Sequence, residues 1–263
     1  MTVREALRSA ERELAAAGVD TPRVDAELLL AHVLGTSRTG VYVQADAEVP
    51  DTWQLLLRRR VGREPLAYVL GEWGFRRLVL KTDARALVPR PETEIVVERC
   101  LELLRGQSEP RVLDVGTGTG AIALAIRDEH PDARVTAVDT AADAVALARE
   151  NTQRLQLDVD VREGGLHVAA EGWDLVVSNP PYVTAAEWEA LQPEIRDWEP
   201  RGALVGVGLH EQLARVAQTG FLVLEVGMCQ ADHVAAALTS LGYVDVRVTP
   251  DLAGIALVVE GRR

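Results

Sequence analysis

The chain has only two cysteines, Cys100 and Cys229, and their separation matches no zinc-binding or redox spacing. Reduced thiols and a cytoplasmic location are therefore expected. Long apolar runs are also missing. Stretches such as Phe221-Leu222-Val223-Leu224 are far too short to span a bilayer. The opening residues, MTVREALRSAERELAAAG, alternate charged and apolar positions and lack the apolar centre of a signal peptide. No internal repeat or low-complexity tract is visible, which sets aside solenoids and arrays. The five histidines (His32, His130, His167, His210, His233) show no metal-ligand spacing, so no metal site is expected. An overall positive charge is absent too. The 263 residues carry a net charge of −12, which argues against nucleic-acid binding through phosphate neutralisation.

The charge that is present is uneven. Between Arg58 and Arg90 stand nine cations and three acids, a segment of +6 that leaves −18 for the remainder. A solvated basic face is the ordinary reading of such a stretch. A docking surface for an acidic partner is the sharper one. With 48% hydrophobic and 26% charged residues, the composition is that of a soluble globular protein of one large domain or two smaller ones.

Three regions follow one another. Residues 1–64 read as a small helical bundle. Thr2 and Glu5 fit a capping box, Thr21-Pro22 fits an N-cap with proline at the first helical position, and VDAELLLAHVLG runs with helical periodicity to Gly35. A third helix is expected over residues 51–60. Residues 65–90 mix short β-like runs with turn residues and read as a hairpin connector. In residues 91–263 a helix begins near Pro91. Strands are then expected at 111–115, 134–139, 159–162, 174–178, 221–226, 243–248 and 255–260, with helices between most of them. That alternation implies an α/β fold, a mostly parallel sheet covered on both faces. The last link, TPDLAG, is too short for a helical crossover, so the final two strands are expected to pair antiparallel.

Two loops in this region carry chemistry. In VLDVGTGTGAIALAI a buried strand runs into Gly116, Gly118 and Gly120 and a helix follows. Such glycines let the backbone approach a ligand and adopt positive φ. A nicotinamide-binding Rossmann loop is the obvious rival. The spacing is GxGxG rather than GxGxxG, however, and Asp114 sits inside the strand end. The second strand ends at Asp139, nineteen residues after Gly120, where a carboxylate can accept from both hydroxyls of a ribose. This points to a nucleoside without naming the cofactor. The other loop is Asn179-Pro180-Pro181-Tyr182, at the end of the apolar run DLVVS. Two prolines stop the strand and stiffen the backbone around one amide side chain.

The glycine loop, Asp139 and NPPY in this order resemble class I S-adenosylmethionine-dependent methyltransferases that act on a planar nitrogen. Together with DAELLLAHVLG, REPLAYVLGEWGF and LVPRPETE, they resemble the HemK/PrmC protein-glutamine N5-methyltransferases over almost the whole chain. The resemblance implies a Rossmann-like seven-stranded sheet, S-adenosyl-L-methionine as cofactor, and a peptide-chain release factor as the protein substrate, methylated on its GGQ glutamine. It also implies site roles. Asn179, Pro180, Pro181 and Tyr182 would hold the substrate amide. Gly116, Thr117, Gly118, Thr119, Gly120, Asp139, Gly165 and Leu166 would hold the cofactor, with Arg90 and Glu92 beside its methionine end and Asn179 shared. Phe75 would line the pocket, although an aromatic on a short strand is ordinarily core. Glu199-Pro200-Arg201-Gly202-Ala203-Leu204 would shape the substrate side.

The chain departs from that pattern in three places. The third strand usually ends in a Gly-Asp pair whose acid lies near the adenine. Here Gly165 stands in place of the acid, with Glu163 as the nearby carboxylate. The segment after Leu204 is short and lacks a PGG turn, and the C-terminal DLAGIALVVEGRR has alanine where arginine is common. Other readings stay open on these residues: an N-methyltransferase acting on another protein or a small-molecule amide or amine, an N6-adenine nucleic-acid methyltransferase, and a binding protein that keeps the cofactor site without turnover.

Overall fold

The computed structural model describes residues 1–263, which divide into two compact units. The first comprises residues 1–72 together with 192–198. Its helices are α1 (Val3–Ala16), α2 (Pro22–Val33), α3 (Arg38–Val43), α4 (Trp53–Val61) and α5 (Leu66–Leu70). Thr2 and Glu5 form the expected reciprocal cap at the start of α1. Thr21 stands before the proline of α2, but its hydroxyl donates to the Asp25 carboxylate at 2.7 Å instead of capping. Two short helices were not anticipated. Ser37 caps α3 by accepting from the Gly40 N–H, and α5 lies where only a hairpin was expected, ending at Gly71 with φ +76°. Leu14, Leu29, Leu30 and Trp53 are fully enclosed in this unit's core. Its one buried cation, Arg60, binds Asp25 at 2.7 Å and Glu194 at 2.9 Å.

The second unit holds residues 73–191 and 199–263. It opens with a hairpin of β1 (Glu72–Phe75) and β2 (Leu78–Lys81), followed by α6 (Thr93–Leu103). Then come β3 (Arg111–Val115), α7 (Ala121–Glu129), β4 (Arg134–Asp139), α8 (Ala142–Leu155), β5 (Val159–Glu163) and β6 (Trp173–Ser178). After single helical turns come α9 (Leu209–Val216), β7 (Thr219–Glu225), α10 (Ala231–Ser240), β8 (Val244–Pro250) and β9 (Ala256–Arg262). The seven strands lie in the order β5-β4-β3-β6-β7-β9-β8. β3 to β7 are mutually parallel, and β9 runs antiparallel to both β7 and β8. The apolar runs of β3, β6 and β7 are buried on both faces, as a central parallel strand requires. One core lies between the sheet and α6, α7 and α8, and takes in Phe75, Leu78 and Leu80 of the hairpin. The other lies between the sheet and α9 and α10. Phe75 is thus a core residue, 1% exposed.

Eight of the nine cations of the basic stretch meet carboxylates where they stand. Arg59 pairs with Glu64, Arg60 and Arg63 with Glu194, Arg76 and Arg77 with Glu129, Lys81 and Arg85 with Glu150, and Arg90 with Glu199. Carboxylates hold several of these guanidinium groups above their ordinary values: Glu64 for Arg59 and Asp83, then Glu150, for Arg85, and the sequence-distant Glu194 and Glu129 for Arg63 and Arg76. A local count of charge could not see Glu129, Glu150, Glu194 and Glu199. No helix is long and apolar enough to cross a membrane.

Candidate functional site

Sheet register brings the two chemical loops together. Val115 of β3 pairs with Ser178 of β6, so Gly116 and Asn179 are the first residues to leave the sheet on adjacent strands. The Ser178 hydroxyl ties these ends together by donating to the Val115 carbonyl at 2.6 Å. The strand order reverses between β3 and β6, and the crevice at such a reversal is where open α/β sheets hold ligands. A cavity of about 340 Å³ lies there. Gly116, Gly118, Asp139, Gly165, Leu166, Asn179, Pro180 and Pro181 line it.

Gly116, Gly118 and Gly120 have φ of +75°, +56° and +86°, conformations that strain any residue with a Cβ. No atom lies within 4 Å of where a Gly116 Cβ would stand, so that side of the loop is open. Thr117, Thr119 and Gly120 are outside the lining and shape the loop from behind. The Thr117 hydroxyl donates to Asp114 at 2.6 Å, the Thr119 carbonyl accepts from Asn151 at 2.9 Å, and Gly120 caps α7. Asp114 is wholly buried and also accepts from the Ala123 N–H at 3.2 Å, while its Oδ1 has no partner. Burial pushes its carboxyl up to about 7.

Asp139 accepts from the Gly118 N–H through Oδ2 and from the Ala141 N–H through Oδ1, both at 3.0 Å. It therefore fixes the glycine loop against the end of β4. Each oxygen retains acceptor capacity toward the cavity it lines.

The NPPY loop is clamped from two sides. The Val183 N–H donates to the Leu204 carbonyl at 2.9 Å, and the Gly206 N–H returns to the Val183 carbonyl at 3.1 Å. The Gln230 amide donates to the Tyr182 carbonyl at 3.1 Å. A Cβ on Gly206 would stand 2.9 Å from Pro181, and one on Gly227 2.8 Å from the Tyr182 ring, so both close approaches need glycine. Tyr182 lies outside the cavity lining and stacks on His210, with centroids 6.5 Å apart and planes 17° from parallel. Burial raises its phenol to about 12. Behind the loop, Asn179 Nδ2 donates to the Thr93 hydroxyl at 3.4 Å.

Arg90 and Glu92 do not line the cavity, whereas Arg85, Ala86 and Leu87 of the same segment do. Arg90 instead binds Glu199, whose carboxyl burial pushes above the usual range. Pro200, Gly202 and Ala203, which follow Glu199, form a cavity wall. Glu163 is exposed and outside the lining. A Gly165 Cβ would meet Thr140 at 3.4 Å, ordinary contact, so glycine is not sterically required there. Glu225, Thr93 and His210, close behind NPPY, were not singled out from sequence. The one signal for Glu225 was an acid ending an otherwise apolar strand, as Asp139 does.

Known proteins bear on this arrangement. A family model described as the PrmC N-terminal domain matches residues 5–71, and one described as the methyltransferase small domain matches residues 93–197. The release factor glutamine methyltransferase of Deinococcus radiodurans is 42% identical, covering 100% of this chain and 99% of the relative. That of Salmonella typhimurium is 41% identical over 92% of this chain and 93% of its own. Among solved structures, the hMettl16 catalytic domain bound to a 3'UTR hairpin aligns with TM-score 0.58 at 13% identity, covering 83% of each chain. A T. thermophilus 16S rRNA methyltransferase in complex with AdoMet and guanosine aligns with TM-score 0.53 at 16% identity, over 73% of this chain and 49% of its own. At such identities these two structures speak for a shared class I methyltransferase fold.

Proposed function

This chain belongs to the family of release factor glutamine methyltransferases, and from that premise we propose that it methylates the side-chain nitrogen (N5) of the GGQ glutamine in a peptide-chain release factor, in the cytoplasm, using S-adenosyl-L-methionine. The observation that carries the reading is the placement of Asn179-Pro180-Pro181 in the same cavity as the open glycine loop and Asp139.

The cavity fits such a cofactor. The unobstructed side of Gly116 allows close approach of a ligand, and Asp139 offers acceptors for two ribose hydroxyls. Gly165 and Leu166 supply an apolar seat for a base, without an acid for its amino group. When bound, the cofactor supplies a methyl group on a positively charged sulfur. Arg90 acts at one remove, holding Glu199 and hence the wall formed by Pro200, Gly202 and Ala203.

An amide nitrogen is a poor nucleophile because its lone pair is delocalised into the carbonyl. It must be aimed, and as the N–C bond forms and the methyl–sulfur bond breaks it must release one proton to solvent. Asn179 Oδ1 and the Pro180 carbonyl accept the two N–H bonds of the substrate amide, which directs the nitrogen lone pair away from the loop. The clamps on Val183, Tyr182 and Pro181 keep these acceptors in place, so little reorganisation accompanies reaction. Orientation of this kind can supply roughly 7–11 kcal/mol. The Tyr182 phenol, raised by burial, stays protonated, and its ring, stacked on His210 outside the cavity lining, backs the loop rather than touching the amide.

Residues 1–64 form the substrate-docking domain of this proposal, 65–90 the connector and 91–263 the catalytic domain. With its cations engaged by nearby carboxylates, the connector has little charge left for docking. The test is intact-mass spectrometry and peptide mapping of a full-length release factor incubated with the protein and S-adenosylmethionine. One added methyl on the GGQ glutamine is expected. An unmodified release factor, with cofactor binding shown separately, would move the substrate to another amide or amine.

A further inference from the structure

A short polar chain runs behind Asn179 and ends in a buried acid. Ser178 pairs with Leu224, so the next residues, Asn179 and Glu225, leave β6 and β7 side by side. Glu225 is 2% exposed. Thr93 and Asn179 are the neighbouring donor side chains that favour its ionised form. Asn179 Nδ2 also donates to Thr93 Oγ1 at 3.4 Å. Glu225 Oε2 is enclosed with no hydrogen-bond partner. No arginine or lysine forms an ion pair with this acid, and Arg90, the cation that favours its ionisation, is itself bound to Glu199.

The direction of these bonds follows from the chemistry of the groups. An ionised carboxylate only accepts, and a threonine hydroxyl has one proton to give. Once Thr93 gives that proton to Glu225, its oxygen can only accept. Asn179 must then turn its NH₂ toward Thr93 and Glu225, which leaves Oδ1 facing the cavity. We propose that Glu225 is a positioning residue that sets the polarity of this chain, compelling Asn179 to present its oxygen, and not its NH₂, to the substrate amide. The inference deepens the functional reading above and rests on Asn179 being the acceptor. An NH₂ turned to the cavity would meet the substrate's own NH₂, donor against donor.

The same logic gives a pH signature. Burial raises the Glu225 carboxyl to about 7. Glu92 opposes its ionisation and Arg90 favours it. The Tyr182 phenol facing it stays protonated, and His210, whose Nε2 lies 2.9 Å from the Glu225 backbone oxygen, is pulled by burial below the usual imidazole value. A protonated Glu225 can donate as well as accept, so the chain loses its fixed direction and kcat falls as pH drops below about 7. Asp114 titrates in the same range but sits under the glycine loop, where its effect would be on cofactor affinity.

The experiment measures methylation of a full-length release factor between pH ~6 and ~9, with kcat and KM separated and cofactor affinity read by calorimetry. Glu225→Gln keeps the shape but adds an NH₂ that can donate to Thr93 and reverse the chain. Its kcat should fall about 10- to 100-fold, the scale of a misdirected buried hydrogen bond. KM and cofactor affinity should stay within about twofold, and the acid limb should vanish. Thr93→Val should lose kcat similarly, and Thr93→Ser should recover most of that loss. A Glu225→Gln variant with native kcat and an intact acid limb would overturn the inference. So would a Thr93→Val variant with native kcat. A native protein that transfers no methyl to the release factor would instead sink the functional reading, and the inference with it.

Discussion

Arg90 and Glu199 stand 109 positions apart and meet at 2.6 Å, joining the segment before α6 to the wall of the cavity. The Glu199 side chain is 1% exposed and that of Arg90 32%. The acid also accepts from the Val88 N–H at 3.4 Å. Replacing Arg90 by Met would strand a buried carboxylate. Solvent access to the arginine weakens the pair, so the expected loss is about 2–4 kcal/mol, below that of a fully buried bridge. Glu199→Gln should cost less, because the charge it leaves unpaired is that of Arg90, which solvent reaches. Urea unfolding of the two variants would show the order, and equal losses would mean the pair is not what fixes this wall.

Asn179→Ala should abolish turnover while leaving cofactor affinity within about threefold of native. Calorimetry and single-turnover methylation separate the two. A variant retaining most of its kcat would remove Asn179 from the role of acceptor.

Asp139→Ala should weaken cofactor binding by at least about tenfold, because it frees the Gly118 and Ala141 amides that the carboxylate holds and, on the proposed function, deletes the acceptors for the ribose. Unchanged affinity by calorimetry would place the ribose elsewhere.

Gly227→Ala puts a methyl 2.8 Å from the Tyr182 ring, where something must shift. Overpacking of this kind costs about 1–3 kcal/mol. The shift would pass to the NPPY loop, so kcat should fall by more than the stability loss suggests. Parallel measurement of Tm and kcat tests this; lost stability with native kcat would show that the loop absorbs the displacement.

Stability should fall as pH rises from about 5 to about 7. Asp114 and Glu225 are both raised to about 7, from ordinary values of 3.8 and 4.5. In that window the folded chain keeps protons the unfolded chain has released, and this contribution disappears as pH passes the folded values. Glu150, held down to about 2 mainly by Arg85 and next by Lys81, acts below the window. Glu225→Gln should therefore flatten the decline and be more stable than the native protein at pH ~8, by roughly 1–3 kcal/mol, while turning over more slowly. Parallel native and variant stability curves would show that Glu225 does not titrate near neutrality.

Local patterns carried much of this protein. Alternating apolar runs and helical stretches placed the seven strands and the helices between them within a few residues, because a buried parallel strand must be continuously apolar and proline and glycine punctuate its ends. The motifs GTGTG, Asp139 and NPPY were legible because each needs particular residue types at short spacing. Where charge ends up was not legible. The basic stretch looked like a surface, yet its partners Glu129, Glu150, Glu194 and Glu199 come from distant segments that only folding brings alongside. The same holds for Arg90, read as a ligand-facing residue and found holding the cavity wall, and for Glu225. Its place beside Asn179 follows from the register of β6 against β7. Hydrogen-bond direction is a property of neighbours in space, so the acid behind the amide became visible only once the sheet had assembled.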